Sequence, residues 1–147
     1  MVRKLKFDFN ECLKKGLLRR IPKSVQKANS SLKAANKWIE EADKNLASDS
    51  LNSCLISCYM AMFHSARAIL FKDGFREKSH ACIARFLEGK YVNKGLLKKE
   101  FVGLLDHHRE LRHQDQYSFQ FSITQDECKN ALETADKFLA EMKKLLK

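Results

Sequence analysis

From Ser24 onward, apolar residues recur at steps of three and four: Val25, Ala28, Leu32, Ala35, Ile39, Ala42 and Leu46. That spacing lays them along one stripe of a helix. Lys27, Lys33, Lys37, Glu40 and Lys44 occupy the opposite side and mark it as a solvent face. The next segment, about Ser50 to Lys72, is apolar around most of its circumference: Leu51, Cys54, Leu55, Cys58, Tyr59, Met62, Phe63, Ala66, Ile69 and Leu70. A helix of that kind belongs at the centre of its bundle. Asp49 stands where it can cap this helix, and Asp73-Gly74 stops it, with Gly74 suited to the left-handed residue after a helix end.

The remaining periodicity predicts shorter elements. Residues from about 8 to 18 form a short helix ahead of the basic turn Leu18-Arg19-Arg20-Ile21-Pro22-Lys23. Ser79 opens a helix reaching about Tyr91, with Cys82, Ile83, Phe86 and Leu87 inward. After a turn at Asn93 and Gly95, a fifth helix runs from about Leu96 to Asp115 on the stripe Leu97, Phe101, Leu104, Leu105, His108 and Leu111. Residues 117–123 alternate polar and apolar and read as an extended connector. Thr124 and Glu127 have capping-box spacing ahead of a last helix with Cys128, Leu132, Ala135, Leu139, Met142 and Leu146. The prediction is an all-α, antiparallel, up-and-down bundle of four main helices plus one or two short ones. It forms a single domain over 1–147, whose first 23 residues are a basic segment holding a short helix.

A chain of 147 residues can bury a core without disulfides or metals. Its 5 cysteines have no CxxC pair and irregular spacing, so they read as buried thiols and not as a zinc site. No continuous run of about 20 apolar residues is present to span a bilayer, and no apolar run follows the basic start as in a secretory signal. A cytoplasmic protein is the expectation. The net charge of +10 is unevenly placed. Residues 1–37 hold 11 Lys or Arg against Asp8 and Glu11, a balance of +9, while the rest of the chain is close to neutral. Such a patch attracts polyanions, RNA first among them, or serves as a solvated lysine face.

Gly-rich phosphate loops, HExxH and GxSxG are all absent, so no cofactor or metal is expected. Any chemistry rests on His, Arg, Tyr and Asp, and these concentrate between Asp106 and Tyr117. At about 100° per residue, Arg112 returns to within roughly 20° of Phe101 and so lies along the apolar stripe. Asp115 sits roughly 40° to the other side, His113 roughly 120° away near solvent, and Tyr117 just past the helix end. A guanidinium on a buried stripe needs a partner. Two readings stand: a structural Arg112–Asp115 pair, or an anion site in which Arg112 holds a phosphate. His64 and Arg67 share a face of the central helix, either as a satisfied core histidine and its neighbour or as part of one cationic pocket with Arg112. His80 is a further candidate for that pocket.

The run Cys58-Tyr59-Met60-Ala61-Met62-Phe63-His64-Ser65-Ala66-Arg67-Ala68 resembles the central-helix signature of small prokaryotic HEPN proteins (helical higher-eukaryote and prokaryote nucleotide-binding domain). Gly74, Lys78-Ser79-His80, the Phe86 helix, Gly95, and Leu111-Arg112-His113 with Tyr117 follow in order over roughly residues 50–120. The resemblance implies a helical bundle that dimerises, a toxin partnered with a minimal nucleotidyltransferase, and metal-independent ribonuclease chemistry at a composite site across the dimer. It assigns Arg112 the motif arginine and His113 the polar position after it. The motif's histidine is expected with four to six residues between it and the arginine; here Tyr117, Ser118 and Phe119 fill that window. A phenol with an unperturbed pKa near 10 is a poor base at neutral pH.

Three functions therefore remain in view: an RNA-directed toxin-type ribonuclease using Arg112, His113 and Tyr117; a non-catalytic module that binds a nucleotide or docks a nucleotidyltransferase; and a purely structural helical dimer. In the first two, His64, Arg67, His80 and Asp115 would serve binding.

Overall fold

The computed structural model describes residues 7–118 and 121–147. Its element order is α1 (Phe9–Lys14), β1 (Leu18–Arg20), α2 (Val25–Ala47), α3 (Leu51–Asp73), β2 (Phe75–Glu77), α4 (His80–Leu87), α5 (Lys99–Tyr117) and α6 (Gln125–Leu145). The all-α prediction holds, with one small ribbon added. Ser24 caps α2 by accepting from the Lys27 amide at 3.0 Å. Thr124 and Glu127 form the expected capping box at the start of α6. Both caps satisfy amides that the first helical turn leaves without intrahelical acceptors.

α3 is the axis of the molecule, and α2, α4, α5 and α6 all pack on it. Tyr59, Met62, Ile69 and Leu70 are among its fully buried residues. The helix is long and apolar enough to cross a membrane, with mean hydropathy 1.4, yet 78% of that window is buried inside the bundle. Directions follow from contacts at the ends. Cys128 Sγ meets the Leu51 carbonyl near the start of both helices, and Lys72 Nζ donates to the Leu145 carbonyl near their other end. α3 and α6 thus run the same way, with α2 and α5 antiparallel to them. α2 turns mainly small residues inward (Ala28, Ser31, Ala35 and Ala42), which lets it lie close along α3. Val25, expected on that stripe, is exposed because it is the first residue of the helix and precedes the stripe's contact with the core.

Several local expectations are corrected. Leu18-Arg19-Arg20 is not a turn but a strand, paired antiparallel with Phe75–Glu77. Leu18 is buried and supplies the apolar anchor that a solvent turn would lack. Asp49 does not cap α3; it sits at φ 60° in the link, and Ser50 takes the N-cap position. The fourth helix stops at Leu87 and widens into a π-helical turn over Glu88–Val92. There Gly89 admits Phe9, since a Cβ at that position would lie 2.7 Å from Phe9 Cβ. α5 begins at Lys99, after a turn that buries Leu97, and extends to include Tyr117. Of the expected connector 117–123, Tyr117 is helical, 118 and 121–123 are not, and Phe119 and Gln120 lie outside the described residues.

Gly74 ends α3 at φ 88°, as its sequence position predicted. A Cβ there would stand 2.8 Å from the Ile21 carbonyl oxygen, so glycine lets the ribbon close over the helix end. The cysteine reading needs correction too. Cys12 and Cys82 form a disulfide that ties α1 to α4, which packing brings together across 70 residues of sequence. Cys54, Cys58 and Cys128 are the buried free thiols that were expected.

Candidate functional site

Tyr59 and Phe63, one turn apart on α3, form an aromatic floor on the side covered by α4 and α5. Four of the residues singled out in the sequence converge on it. The His80 ring stacks on Phe63 at 4.2 Å between centroids, and its Nδ1 lies 3.0 Å from the Tyr59 hydroxyl. The His64 ring meets Phe63 edge-on at 5.1 Å. The Arg67 guanidinium lies 5.7 Å from the Phe63 ring, and that of Arg112 lies 5.1 Å from Tyr59. The stripe position computed for Arg112 is borne out: the side chain is half-buried and its Nε is enclosed.

The arginines of this region differ in their partners. Arg67 Nε donates to Glu77 Oε1 at 2.9 Å, and the Glu77 side chain is only 7% exposed. Arg85 and Arg109 converge on one carboxylate, Asp106. Arg112 has no carboxylate partner among the described residues; its one hydrogen bond goes to the neutral amide oxygen of Gln116 at 3.2 Å. The expected Arg112–Asp115 pair is therefore not formed. Asp115 faces the start of α3, where burial raises its carboxyl pKa and the nearby Asn52 amide pulls it partly back. Its two oxygens are enclosed without a hydrogen bond of good geometry among the described residues. The three-residue spacing put Asp115 near Arg112 along the helix, but the two side chains leave α5 toward different neighbours.

Protonation follows from burial and from the surrounding cations. The His80 pKa is pushed down to about 4, first by burial and then by the charges of Arg112, Arg109, Arg67 and His64. The His64 pKa is lowered by burial and by Arg67. Burial raises the Tyr59 hydroxyl to about 12, with Arg112 and Arg109 pulling the other way. At neutral pH, Tyr59 is thus a protonated phenol and His80 a neutral imidazole. The phenol has no other partner among the described residues. Where the phenol donates to Nδ1, the His80 proton is on Nε2. In that tautomer the site presents two donors, His80 Nε2–H and the Arg112 guanidinium. That is an arrangement for an anionic oxygen.

His113 and Tyr117 are not in this cluster. Their rings pair with each other at 4.8 Å on the exposed side of the last turns of α5, where Tyr117 is 70% exposed. Sequence reasoning placed Tyr59 in the core and missed its part in the site, because an aromatic residue on an apolar helix carries no distinguishing local signal. Arg109 and Asp106 were also missed, although their three-residue spacing within the polar segment was visible. A groove of about 260 Å³ continues from His64 and Arg67 past Phe71 to Lys27 on α2. Among the described residues, no cluster of His, Cys, Asp and Glu is arranged to hold a metal ion.

The HEPN domain family matches residues 28–145. A protein of Methanocaldococcus jannaschii named as a candidate toxin is 26% identical over 116 residues, covering 74% of this chain and 86% of its own. A UPF0332 protein of Pyrococcus horikoshii is 27% identical over 104 residues, covering 71% of this chain and 68% of its own.

Proposed function

Because the chain belongs to the HEPN domain family, we propose that it is a toxin-type protein whose Arg112 centre binds RNA phosphates and cleaves the strand without a metal. The observation that carries this reading is the half-buried Arg112 guanidinium, held over Tyr59 beside His80 with no carboxylate to neutralise it. A cation placed this way at a structural cost is suited to an anionic ligand.

In this reading Arg112 and His80 Nε2–H hold the non-bridging oxygens of a phosphodiester and stabilise the charge that grows on them in the pentavalent state. His113, one residue further along α5, takes the proton of the ribose 2′-hydroxyl. The 2′-oxygen then bonds to phosphorus as the bond to the 5′-oxygen breaks, and the Tyr117 hydroxyl protonates that leaving oxygen. The exposure of His113 and Tyr117 fits a homodimer in which they act beside the Arg112 of the second copy. A minimal nucleotidyltransferase is the partner that the HEPN resemblance implies.

The test is cleavage of single-stranded RNA in EDTA by wild type, Arg112→Ala and Tyr117→Phe. Cleavage that is lost in Arg112→Ala supports the reading, and unchanged activity in that variant refutes it. The second reading, a non-catalytic nucleotide-binding or nucleotidyltransferase-docking module, is favoured by the absence of a histidine after Arg112 with four to six residues between. Wild type that binds RNA or nucleotide through Arg112 without cleaving it would establish that alternative.

A further inference from the structure

We propose that the β1–β2 ribbon and the basic pocket beside it form a second phosphate-contacting surface, which carries the backbone of an RNA strand leading away from the Arg112 centre. This rests on the RNA reading of that centre and adds a separate set of residues to it.

The ribbon's register sets Arg19 directly opposite Arg76, and both residues are exposed. Cross-strand partners project to the same side, where like charges oppose pairing. A two-stranded ribbon has little stability of its own to offset that. Neither arginine has a carboxylate partner among the described residues. A bound anion would relieve the repulsion.

On the other side of the ribbon, Arg20 and Lys90 lie over the Phe75 ring at 5.1 and 5.7 Å, and Lys90 also lies 5.2 Å from Phe9. Lys23 and Lys94 join Lys90 around a pocket of about 290 Å³. The one acid lining it, Asp73, already accepts a hydrogen bond from Tyr91. Three lysines thus face one carboxylate and leave the pocket net positive, and the rings beneath Arg20 and Lys90 fix where those two heads stand.

Position links this surface to the Arg112 centre. Glu77, the last residue of β2, holds Arg67, and His80 opens α4 just after it. Arg76 and His80 are four residue steps apart, no more than about 14 Å of chain. A single oligonucleotide can reach from one to the other. A phosphodiester chain needs cations at intervals and no apolar anchor, which matches a surface with one exposed large apolar residue, Leu96.

The experiment measures binding of a labelled 20-nucleotide single-stranded RNA and a trinucleotide to the full chain by fluorescence anisotropy across a salt series. Arg19→Gln/Arg76→Gln and Lys90→Gln/Lys94→Gln are compared with wild type and with Lys33→Gln/Lys37→Gln on the solvent face of α2. Each ribbon or pocket variant should weaken 20-mer binding about tenfold and reduce the salt slope by about 0.7 per lost contact. Trinucleotide binding should not change, and the α2 pair should have little effect. Thermal unfolding of Arg19→Gln/Arg76→Gln should be unchanged or shifted upward, because a repulsion is removed. A fall would mark the pair as structural and overturn the proposal. Unchanged 20-mer binding by the variants, beside Arg112-dependent trinucleotide binding, would overturn it and leave the Arg112 reading standing. Failure of wild type to bind either RNA would remove both. Displacement of RNA by polyglutamate at equal charge concentration would assign the surface to an acidic protein and also overturn the proposal.

Discussion

Lowering the pH from 7.5 to 5 should destabilise this protein through His108. The ring is 6% exposed on α5, facing α6, and its Nδ1 has no hydrogen-bond partner among the described residues. Burial, then the charge of His107, pushes its pKa down from 6.5 to about 4. The unfolded chain therefore takes up a proton near pH 6.5 that the folded chain resists until about pH 4. The stabilisation from keeping the ring neutral is complete above the unfolded value and is lost as the pH falls toward the folded one. At pH 5 the loss amounts to about 2 kcal/mol, out of about 3 available over the whole window. His80 acts in the same direction with a smaller effect, because its ring is partly in solvent. The assay is urea denaturation at both pH values, followed by far-UV circular dichroism, for wild type and His108→Leu. Leucine suits the neighbours Leu55, Leu111 and Ala131 and leaves no polar atom buried without a partner. The variant should lose about 2 kcal/mol less than wild type between the two pH values. Equal losses would refute the reasoning. Because α5 also carries Arg109 and Arg112, acid loosening of its seat on α6 should blunt the candidate site before the molecule unfolds.

Three further perturbations separate the remaining claims. Tyr59→Phe removes the hydroxyl bonded to His80 and should cost about 1 kcal/mol in denaturant unfolding, while keeping the ring under Arg112 and most RNA affinity. Tyr59→Leu removes the ring as well and should weaken RNA binding by a further ~1 kcal/mol, so equal affinities would show that the ring does not seat Arg112. Gly74→Ala forces a side chain onto φ 88° against the Ile21 carbonyl; a loss of roughly 2 kcal/mol in thermal or urea unfolding is expected. Reducing Cys12–Cys82, which closes a loop of 70 residues, should lower stability by about 4 kcal/mol on the chain-entropy scale, read as a shift in denaturation midpoint with and without a dithiol.

The sequence by itself determined the helices and their inner faces. Ser24, Thr124 with Glu127, and Gly74 act through neighbours three to five residues away, so their effects are legible locally. The same holds for the central place of α3, which follows from an almost unbroken apolar circumference, and for the half-buried position of Arg112, which follows from helical phase. The tertiary structure decided everything that depends on which elements are neighbours. The β1–β2 ribbon and the Cys12–Cys82 disulfide join segments more than fifty residues apart. Glu77, not a residue of its own helix, satisfies Arg67, and Asp106 takes up Arg85 and Arg109. Asp115 turns toward Asn52, and Tyr59 becomes the floor on which Arg112 and His80 meet. Helical spacing fixes the direction in which a side chain leaves its own axis. Only packing of the whole bundle settles what stands opposite it, and that choice leaves Arg112 without a carboxylate.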